Sequence, residues 1–213
     1  MSQMNWDREV DVLVVGTGNG GLTAAVCNWE MGTKDVLIIE KQDKVGGTSA
    51  TSGGGIWIPN SHYAKEVGAE DSPEAAKAYL MNTLFGEDVP EEMIDIYLEK
   101  APEMLKYLHD RTDVRYESLA EYPDYYTNME GAREGHRSLE PAPIMASELG
   151  ANWKNMTWTH FMMRMFNRIH FTQVEAHLLM VQLPGWKKLL ARLMWDYVRD
   201  IPWRFKTPIS RRL

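Results

Sequence analysis

The sequence predicts an α/β fold in which a βαβ unit opens the chain and a mainly helical segment follows. Three observations lead to this prediction: two short apolar runs near the start, a glycine-rich turn between them, and apolar residues at helical spacing through the middle of the chain. The first run, Val10–Val15, is mostly β-branched, which is typical of a strand buried on both faces of a parallel sheet.

The turn after this strand has the pattern G-x-G-x-x-G. Its glycines are Gly16, Gly18 and Gly21, and Gly20 adds a fourth. Gly16 permits the tight strand-to-helix turn, Gly18 lets the backbone approach a pyrophosphate closely, and Gly21 lets the helix pack against the strand. The N-terminus of the helix then offers free N–H groups and positive potential to the phosphates.

A helix and a second strand complete this unit. The stretch LTAAVCNWEMG is rich in small and apolar residues, and Gly32 is expected to end the helix. The second apolar run, Asp35–Glu40, ends in an acid at the point where a carboxylate can bind ribose hydroxyls. Strand, turn, helix, strand and acid occur in order, so we predict a Rossmann-like dinucleotide site. The alternative is an ordinary βαβ unit with a glycine turn.

A second glycine run, VGGTSATSGGGIWIPN at Val45–Asn60, follows the second strand closely. A site for NAD needs no such loop, whereas FAD extends past its pyrophosphate through a ribityl chain to the isoalloxazine. Hydroxyls and bare N–H groups of the loop could line that length, and N–H groups near flavin N5 tune its electronics. We therefore predict FAD as the cofactor. The alternative is that the hydroxyls serve only solvation and turn formation.

With GxGxxG, the pair Glu40-Lys41 and GGTSxxSGGxxWxP, the chain resembles the flavoprotein family of fumarate reductases and 3-ketosteroid dehydrogenases. The ending Trp57-Ile58-Pro59 is most similar to the 3-ketosteroid Δ1-dehydrogenase branch. The resemblance implies that the glycines of the first turn contact the pyrophosphate and that Glu40 holds the adenosine ribose. The residues implied to line the ribityl chain and the flavin are Lys41, Gly47, Thr48, Ser49, Ser52, Gly53, Gly54 and Gly55.

The segment Tyr116–Pro141 contains four tyrosines and many turn residues without a clear period, so it is expected to be irregular. It resembles the family motif Y-x-D-Y-[YH], followed by G-x-x-x-G-R-S-x-E-P with one residue inserted before Arg137. In the family, a tyrosine of the first motif lies in the steroid site and supports the catalytic base by hydrogen bonding. The resemblance implies this catalytic role for Tyr125, with Tyr126 as second choice, and Arg137 is interpreted as a structural ion-pair partner.

The resemblance implies an FAD-dependent oxidoreductase of steroid metabolism. Its reaction would be dehydrogenation of a 3-ketosteroid at C1–C2, with hydride transfer to flavin N5. The expected partners are a small apolar substrate, a steroid, and an electron acceptor. Two other interpretations remain open: an ene reductase of the fumarate reductase type, and a non-catalytic FAD-binding fragment that needs another chain.

Composition excludes several other classes. The net charge of −7 argues against nucleic acid or an anionic membrane as the main partner, because both need clustered cations. The single cysteine, Cys27, permits no internal disulfide, and neither a signal peptide nor a transmembrane segment is predicted. We therefore expect a cytoplasmic protein. No metal site is predicted, because the histidines of the last third lack ligand spacing.

The middle of the chain predicts helices that begin at Ser72-Pro73, after Pro90 and at Pro102, with His109 at the surface near a helix end. We assign residues 1–150 to the N-terminal part of the FAD-binding domain. Residues 151–213 are assigned to a helical, Met- and Trp-rich segment, either of the same domain or of the start of a cap that is truncated here. Within it, Trp186–Val198 is predicted to be an amphipathic helix.

Family members are more than twice as long as this chain, so the resemblance implies an incomplete N-terminal fragment of a larger two-domain flavoprotein. The tyrosine that acts as base and the groups that polarise the substrate carbonyl are expected beyond residue 213. We also expect the apolar surface of the βαβ unit to lack its covering strands, and the fragment to be unstable or inactive alone.

Overall fold

The computed structural model describes residues 6–205. The chain divides into two compact units that alternate along the sequence. Unit 1 contains the residues up to Gly53, Ile144–Phe171 and the residues from Lys187 on, and unit 2 contains Gly54–Pro143 and Thr172–Trp186. The predicted boundary at residue 150 stays a prediction.

Seven strands and eight α-helices form in the described residues. The strands are β1 (Val12–Val15), β2 (Val36–Ile39), β3 (Ile56–Trp57), β4 (Tyr116–Ser118), β5 (Ser138–Pro141), β6 (Arg164–Met165) and β7 (Ile169–His170). The helices are α1 (Asn19–Glu30), α2 (Gly47–Thr51), α3 (His62–Glu66), α4 (Pro73–Asn82), α5 (Glu91–Arg111), α6 (Gln173–Met180), α7 (Trp186–Arg199) and α8 (Ile201–Arg204).

The predicted βαβ unit is confirmed and opens unit 1. Strands β1 and β2 pair in parallel over four residues, with Val12 opposite Val36 and Val15 opposite Ile39. Helix α1 joins them, and Gly32 adopts φ 110° just after the helix ends, as a glycine stop requires. The local pattern of the sequence therefore determines this unit.

The β1–β2 sheet has one covered face and one open face. Val14 is buried toward α1, where a methyl group on Gly21 would lie 3.3 Å from its Cγ1 atom. Side chains alternate along a strand, so Leu13 and Val15 point the other way, and they are 53% and 76% exposed. Ile39, opposite Val15, is also exposed. In this structure the apolar surface of the unit is open, as expected from the sequence.

The remainder of unit 1 is less helical than predicted. Two 3₁₀ segments, Ala146–Asn155 and Phe161–Met163, precede the antiparallel pair β6–β7, so the prediction of a wholly helical segment after residue 150 is wrong there. Helix α7 begins at the predicted residue and ends one residue later than predicted, with Leu193 fully buried.

Unit 2 combines helices with a small antiparallel sheet in the order β3-β5-β4. Its core consists of apolar side chains from the sheet, α3 and α5, namely Ile58, Tyr63, Ala101, Leu105 and Leu139. Helix α4 begins as predicted, because Ser72 caps it by accepting a hydrogen bond from the Ala75 N–H at 3.1 Å, and Pro73 occupies its first turn.

Two predictions for unit 2 are corrected. Pro102 does not begin a third helix but lies inside the 21-residue α5, because buried Ala101, Leu105 and Leu108 hold the helix to its neighbours on both sides of the proline. The segment from Tyr116 to Pro141 is not wholly irregular, since β4 and β5 stand at its two ends and pair with each other. Strand pairing over such a separation leaves no local period in the sequence.

His109 is half-buried in α5 rather than at the surface, and its Nδ1 atom lies 2.8 Å from the Tyr63 hydroxyl. The neighbouring ring of His62 lies 4.9 Å from the His109 ring, edge to face.

Within residues 6–205, no helix is both long and apolar enough to cross a membrane.

Candidate flavin site

The two glycine runs meet at Thr17 in unit 1. The Thr17 hydroxyl donates a hydrogen bond to Glu40 Oε2 at 2.6 Å, and the Thr17 N–H donates to the same oxygen at 3.0 Å. The Thr17 hydroxyl also accepts a hydrogen bond from the Gly46 N–H at 2.9 Å. One buried side chain therefore joins the first turn, the acid at the end of β2 and the start of the second glycine run.

Glu40 is held as a carboxylate. The Thr17 hydroxyl is the main cause, and the N–H groups of Gln42, Thr17 and Lys41 add to it, so that the pKa of Glu40 falls to about 2. Because this pKa lies below its ordinary value, Glu40 stabilises the fold fully above the ordinary pKa, and that contribution is lost as the pH falls through about 2. Glu40 therefore offers carboxylate oxygens as hydrogen-bond acceptors throughout the neutral range.

The glycines of the first turn differ in what they permit. Gly16 adopts φ 95°, a conformation that favours glycine, and its N–H donates to the Ile39 carbonyl at 2.7 Å. A methyl group on Gly21 would lie 2.1 Å from the Gly16 carbonyl oxygen, so Gly21 is needed for the fold. Gly18 has an ordinary φ of −68°, and a methyl group there would meet only Ser49 Oγ at 3.5 Å. The protein alone does not need a glycine at Gly18, which is consistent with a role in close approach to a ligand.

The start of α1 offers donors to an anion. Gly18 caps the helix without a side-chain hydrogen bond, and no acidic residue lies in the first turn. The N–H groups of Gly20 and Gly21 have no hydrogen-bond partner among residues 6–205. The Asn19 N–H donates to Ser49 Oγ at 3.0 Å, which brings the second glycine run to the end of the helix. This end of the sheet therefore combines positive potential with open backbone.

The second glycine run folds back onto the first. A methyl group on Gly47, which adopts φ 53°, would lie 3.8 Å from Gly18 Cα. Gly47, Thr48 and Ser49 form α2, and the Ser52 hydroxyl donates to the Ser49 carbonyl at 2.9 Å. Lys41 and Gly53 are exposed beside these elements. Unit 1 therefore brings together eleven of the predicted cofactor residues, which are Gly16, Gly18, Gly20, Gly21, Glu40, Lys41, Gly47, Thr48, Ser49, Ser52 and Gly53.

A distant segment, not found from the sequence, braces this run. The Val45 N–H donates to the Asn155 carbonyl at 2.7 Å, and the Thr157 N–H donates to the Val45 carbonyl at 2.8 Å. The Lys44 ammonium donates to the Lys154 carbonyl. These backbone contacts carry no residue-type signal, so a sequence pattern could not reveal them.

Gly54 and Gly55, the last two predicted cofactor residues, belong to unit 2, where packing requires a glycine at Gly54. Gly54 adopts φ 69°, and a methyl group there would lie 2.6 Å from Pro141 Cγ. A methyl group on Gly55 would lie 3.7 Å from the Leu139 carbonyl oxygen. Gly54 therefore lets the chain pass close to β5, whereas the distance at Gly55 is an ordinary van der Waals contact that does not require a glycine.

The predicted catalytic tyrosines also lie in unit 2. Tyr125 is 83% exposed, and it hydrogen-bonds to Tyr122, which is the main cause of a raised Tyr122 pKa. The Tyr126 ring packs against Phe85 at 5.0 Å between centroids, and its N–H donates to the Tyr79 hydroxyl at 3.2 Å. Tyr126 is thus held by packing, while Tyr125 is open to a ligand. The partnership with Tyr122 was not predicted from the sequence.

The rest of the tyrosine motif is organised around a buried arginine. Arg137, 2% exposed, forms ion pairs with Asp71 at 2.7 Å and with Asp124 at 2.8 Å, which confirms its predicted structural role. Asp124 also accepts hydrogen bonds from Trp57 Nε1 at 2.7 Å and from the Arg133 N–H at 2.9 Å. Burial raises the pKa of Asp71, but the Arg137 hydrogen bonds and charge outweigh it, so this pKa lies below its ordinary value.

The βαβ unit, the open helix end and the terminal acid define a dinucleotide-binding domain. Residues 11–209 match the FAD binding domain family, and the chain belongs to this family. FAD is therefore the cofactor for which the site is built. The site fits it, since the bare backbone at Gly18, the free N–H groups of α1 and the Glu40 carboxylate suit a pyrophosphate and a ribose.

Comparison with individual proteins confirms the resemblance to 3-ketosteroid dehydrogenases. The chain is 43% identical over 145 residues to a 3-oxosteroid 1-dehydrogenase of Mycobacterium tuberculosis, covering 68% of this chain and 25% of that protein. It is 34% identical over 208 residues to the Comamonas testosteroni 3-oxosteroid 1-dehydrogenase, covering 97% of this chain and 36% of that protein.

The crystal structure of 3-ketosteroid delta1-dehydrogenase from Sterolibacterium denitrificans, in complex with 1,4-androstadiene-3,17-dione, is similar with a TM-score of 0.86 and 36% identity. The match covers 95% of this chain and 36% of that chain. The chain thus spans between a quarter and about a third of the length of these two 3-oxosteroid 1-dehydrogenases.

Proposed function

We propose that this chain is the FAD-binding part of an oxidoreductase that dehydrogenates a 3-ketosteroid between C1 and C2. The single observation that carries the proposal is the junction of the two glycine runs at Thr17, Glu40 and Gly46. It supports an extended cofactor site, and the identity of 34–43% to 3-oxosteroid 1-dehydrogenases supports the substrate class.

The proposed reaction removes a proton from C2 and a hydride from C1, which leaves a C1–C2 double bond. The C3 carbonyl makes the C2–H acidic once it is polarised, because the enolate that develops spreads its charge onto the carbonyl oxygen. FAD, when bound, supplies the hydride acceptor at flavin N5. The proton and the hydride leave together with no net charge left on the steroid.

The chain's own residues are assigned to binding and support. The N–H groups at the start of α1 hold the pyrophosphate, Glu40 accepts from the adenosine ribose, and the hydroxyls of α2 and Ser52 lie along the ribityl chain and flavin. We assign Tyr125 as a helper of the base, because its hydroxyl is exposed and already paired with Tyr122. By family resemblance, the base and the groups that polarise the carbonyl lie in the parts of the relatives that the match does not cover.

The proposed partners are a small apolar substrate, a steroid, and an electron acceptor that reoxidises the flavin. The proposed location is the cytoplasm, where the steroid substrate and a reducing environment for Cys27 would both be available. The chain alone is expected to bind FAD without oxidising steroid.

A chimera tests the proposal. The segment of the Comamonas testosteroni enzyme that matches this chain is replaced by the chain itself, and flavin content is measured together with dye reduction by a 3-ketosteroid that is saturated at C1–C2. The chimera is expected to retain FAD and to reduce the dye, whereas its Gly18→Val variant should lose FAD. A chimera that retains FAD but leaves every 3-ketosteroid unoxidised would overturn the substrate assignment. A chain and chimera that both fail to bind FAD would overturn the cofactor assignment.

Two tyrosine variants of the chimera test the helper role. Tyr125→Phe is expected to slow steroid oxidation by roughly tenfold or more with FAD still bound, because it removes a hydroxyl near the proton transfer. Tyr126→Phe is the matched control, since the Tyr126 contacts run through its ring and backbone, and its rate should be unchanged. Equal rates for both variants would remove Tyr125 from the site.

A further inference from the structure

We propose that Thr17 is a positioning residue for FAD. The Thr17 hydroxyl holds the Glu40 carboxylate and the loop at Gly46 in fixed positions relative to each other before the cofactor binds. This inference rests on the proposed FAD site and deepens it. It assigns a role to one of the variable positions of the G-x-G-x-x-G pattern.

The hydrogen-bonding capacity of the Thr17 hydroxyl is directed at the two parts of the site. A threonine hydroxyl has one donor, and here it goes to Glu40 Oε2 at 2.6 Å. One of its lone pairs accepts from the Gly46 N–H at 2.9 Å. Thr17 is only 4% exposed, so water does not compete for these bonds. The hydroxyl is therefore committed to joining Glu40 to the loop.

This arrangement leaves Glu40 free on one side. A carboxylate offers about four lone-pair positions. Oε2 accepts from both the Thr17 hydroxyl and the Thr17 N–H, whereas Oε1 accepts from the Gln42 N–H at 3.1 Å. The remaining capacity lies mainly on Oε1, which is the oxygen available to a ribose hydroxyl. Thr17 thus fixes which oxygen faces a ligand.

The Gly46 bond extends the effect to the second run. Gly46 adopts φ 117°, and a methyl group there would lie 2.6 Å from the Ala50 Cβ atom, so the loop is tightly folded where Thr17 holds it. Gly47 follows at once, next to Gly18. A shift of Thr17 would therefore move the ribose acceptor and the glycines beside the pyrophosphate together.

The main rival explanation is that Thr17 only stabilises the turn. The two roles differ in their pH dependence. Without the hydroxyl, the Glu40 pKa should return toward its ordinary value of 4.5, because that hydroxyl is the largest cause of its shift. Ribose binding would then weaken with acid in the variant but not in the wild type, whereas a turn defect would weaken binding equally at every pH.

The test uses the full chain with FAD, and with ADP as a probe that carries ribose and pyrophosphate without flavin. Thr17→Val is expected to reduce the affinity for both ligands by about tenfold at neutral pH, because this is the usual effect of losing a hydrogen bond to a charged group. The ratio of wild-type to variant affinity should widen as the pH falls from about 6 to about 4. Using the ratio cancels the titration of the ligand itself. Thr17→Ser should restore both affinity and pH profile, and Thr33→Val, in the same unit, is the matched control.

A second measurement needs no cofactor. The Glu40 carboxyl is followed by ¹³C NMR during acid titration of the free chain, and its pKa is expected to rise in Thr17→Val. Thr17→Ala replaces this variant if valine does not fold. In a double-mutant cycle, Thr17→Val should reduce the affinity for FAD and ADP much less in a Glu40→Gln background than in the wild type.

The outcomes separate this inference from the proposed function. If the wild-type chain binds neither FAD nor ADP, the cofactor site itself fails. If the wild type binds but Thr17→Val binds equally, or weakens binding by the same factor at every pH and in the Glu40→Gln background, the role of Thr17 is overturned and the cofactor site stands.

Discussion

Units 1 and 2 each carry a family motif, yet the two motifs use their residues differently. In unit 1, the glycine turn leaves the N–H groups of Gly20 and Gly21 unbonded among the described residues and keeps Glu40 partly accessible. In unit 2, Arg137 is bonded to two carboxylates, and Glu140 is buried where it accepts from the Gln173 N–H at 2.8 Å. One motif holds donors open for a ligand, and the other satisfies its polar groups internally.

The glycines of the two motifs show the same contrast. Methyl groups on Gly131 and Gly135 would lie 2.1 Å and 1.9 Å from the carbonyl oxygens of Ala75 and Ala120, so both positions are fixed by packing alone. Gly18 has no such constraint. A motif that resembles a family signature can therefore describe either a binding surface or an internal scaffold, and only the contacts of each residue distinguish the two.

The largest expected effect on stability is at the first turn, where substitutions at two glycines distinguish a residue needed for the fold from one needed for binding. Gly21→Ala should destabilise the chain by about 4 kcal/mol or more, because its methyl group would meet the backbone oxygen of Gly16 at 2.1 Å. Gly18→Ala should leave the melting temperature nearly unchanged but reduce FAD affinity. Thermal unfolding and a flavin-binding titration measure the two effects. Equal melting temperatures for Gly21→Ala and wild type would contradict the packing argument.

The next effect tests the internal scaffold of unit 2. Arg137→Leu should lower the free energy of unfolding by about 3–5 kcal/mol, because it leaves two buried carboxylates without their partner. Urea denaturation measures this loss. Arg133→Leu is the matched control, since its side chain is more exposed and its ion pair with Asp71 is longer at 3.4 Å. Similar losses of unfolding free energy in both variants would mean that burial does not determine how much these ion pairs stabilise the fold.

A smaller effect concerns acid sensitivity in unit 2. Burial lowers the pKa of His62, and the charges of His109 and Lys106 lower it further, while Glu66 and Asp110 oppose the shift. Tyr63 packs against the same ring, 4.0 Å away between centroids. The contribution of neutral His62 to the free energy of unfolding is therefore fully present above its ordinary pKa of about 6.5. This contribution is lost as the pH falls from there toward the pKa of His62 in the folded chain.

His62→Phe is expected to reduce the difference in melting temperature between about pH 7 and pH 5, because the buried ring no longer takes up a proton on unfolding. Scanning calorimetry at the two pH values measures the difference, and His177→Phe serves as a control on another helix. A difference that stays as large as in the wild type would show that His62 does not control acid sensitivity.

The smallest effect on stability is expected at the open face of unit 1. Leu13→Lys should change the free energy of unfolding by no more than about 0.5 kcal/mol, because the side chain is 53% exposed. Self-association of the chain should nevertheless decrease, since a charge would interrupt the exposed apolar surface. Sedimentation velocity at several concentrations reports the change. Unchanged association would mean that this face does not mediate contacts between copies.

The sequence predicted the parts of this molecule that local patterns determine. Gly16, Gly21 and Glu40 were assigned correctly to the βαβ unit, because strand, turn and helix each follow from neighbouring residues. Thr17 was missed, because its position in the motif accepts many residue types and its role depends on contacts at positions 40 and 46. Pro102 was misread, because burial of α5 outweighs the local cost of a proline. The roles of Tyr125 and of the flavin-lining hydroxyls stay predictions.

The contact between the second glycine run and the segment near Asn155 also sets an order of events during synthesis. Lys44 and its partner Lys154 are 110 positions apart, so this contact forms only after the segment around Lys154 has left the ribosome. The first forty residues can form their strands and helix earlier, from neighbouring contacts alone. The βαβ unit of the nascent chain can thus be in place well before the second glycine run is fixed by its contact with the later segment.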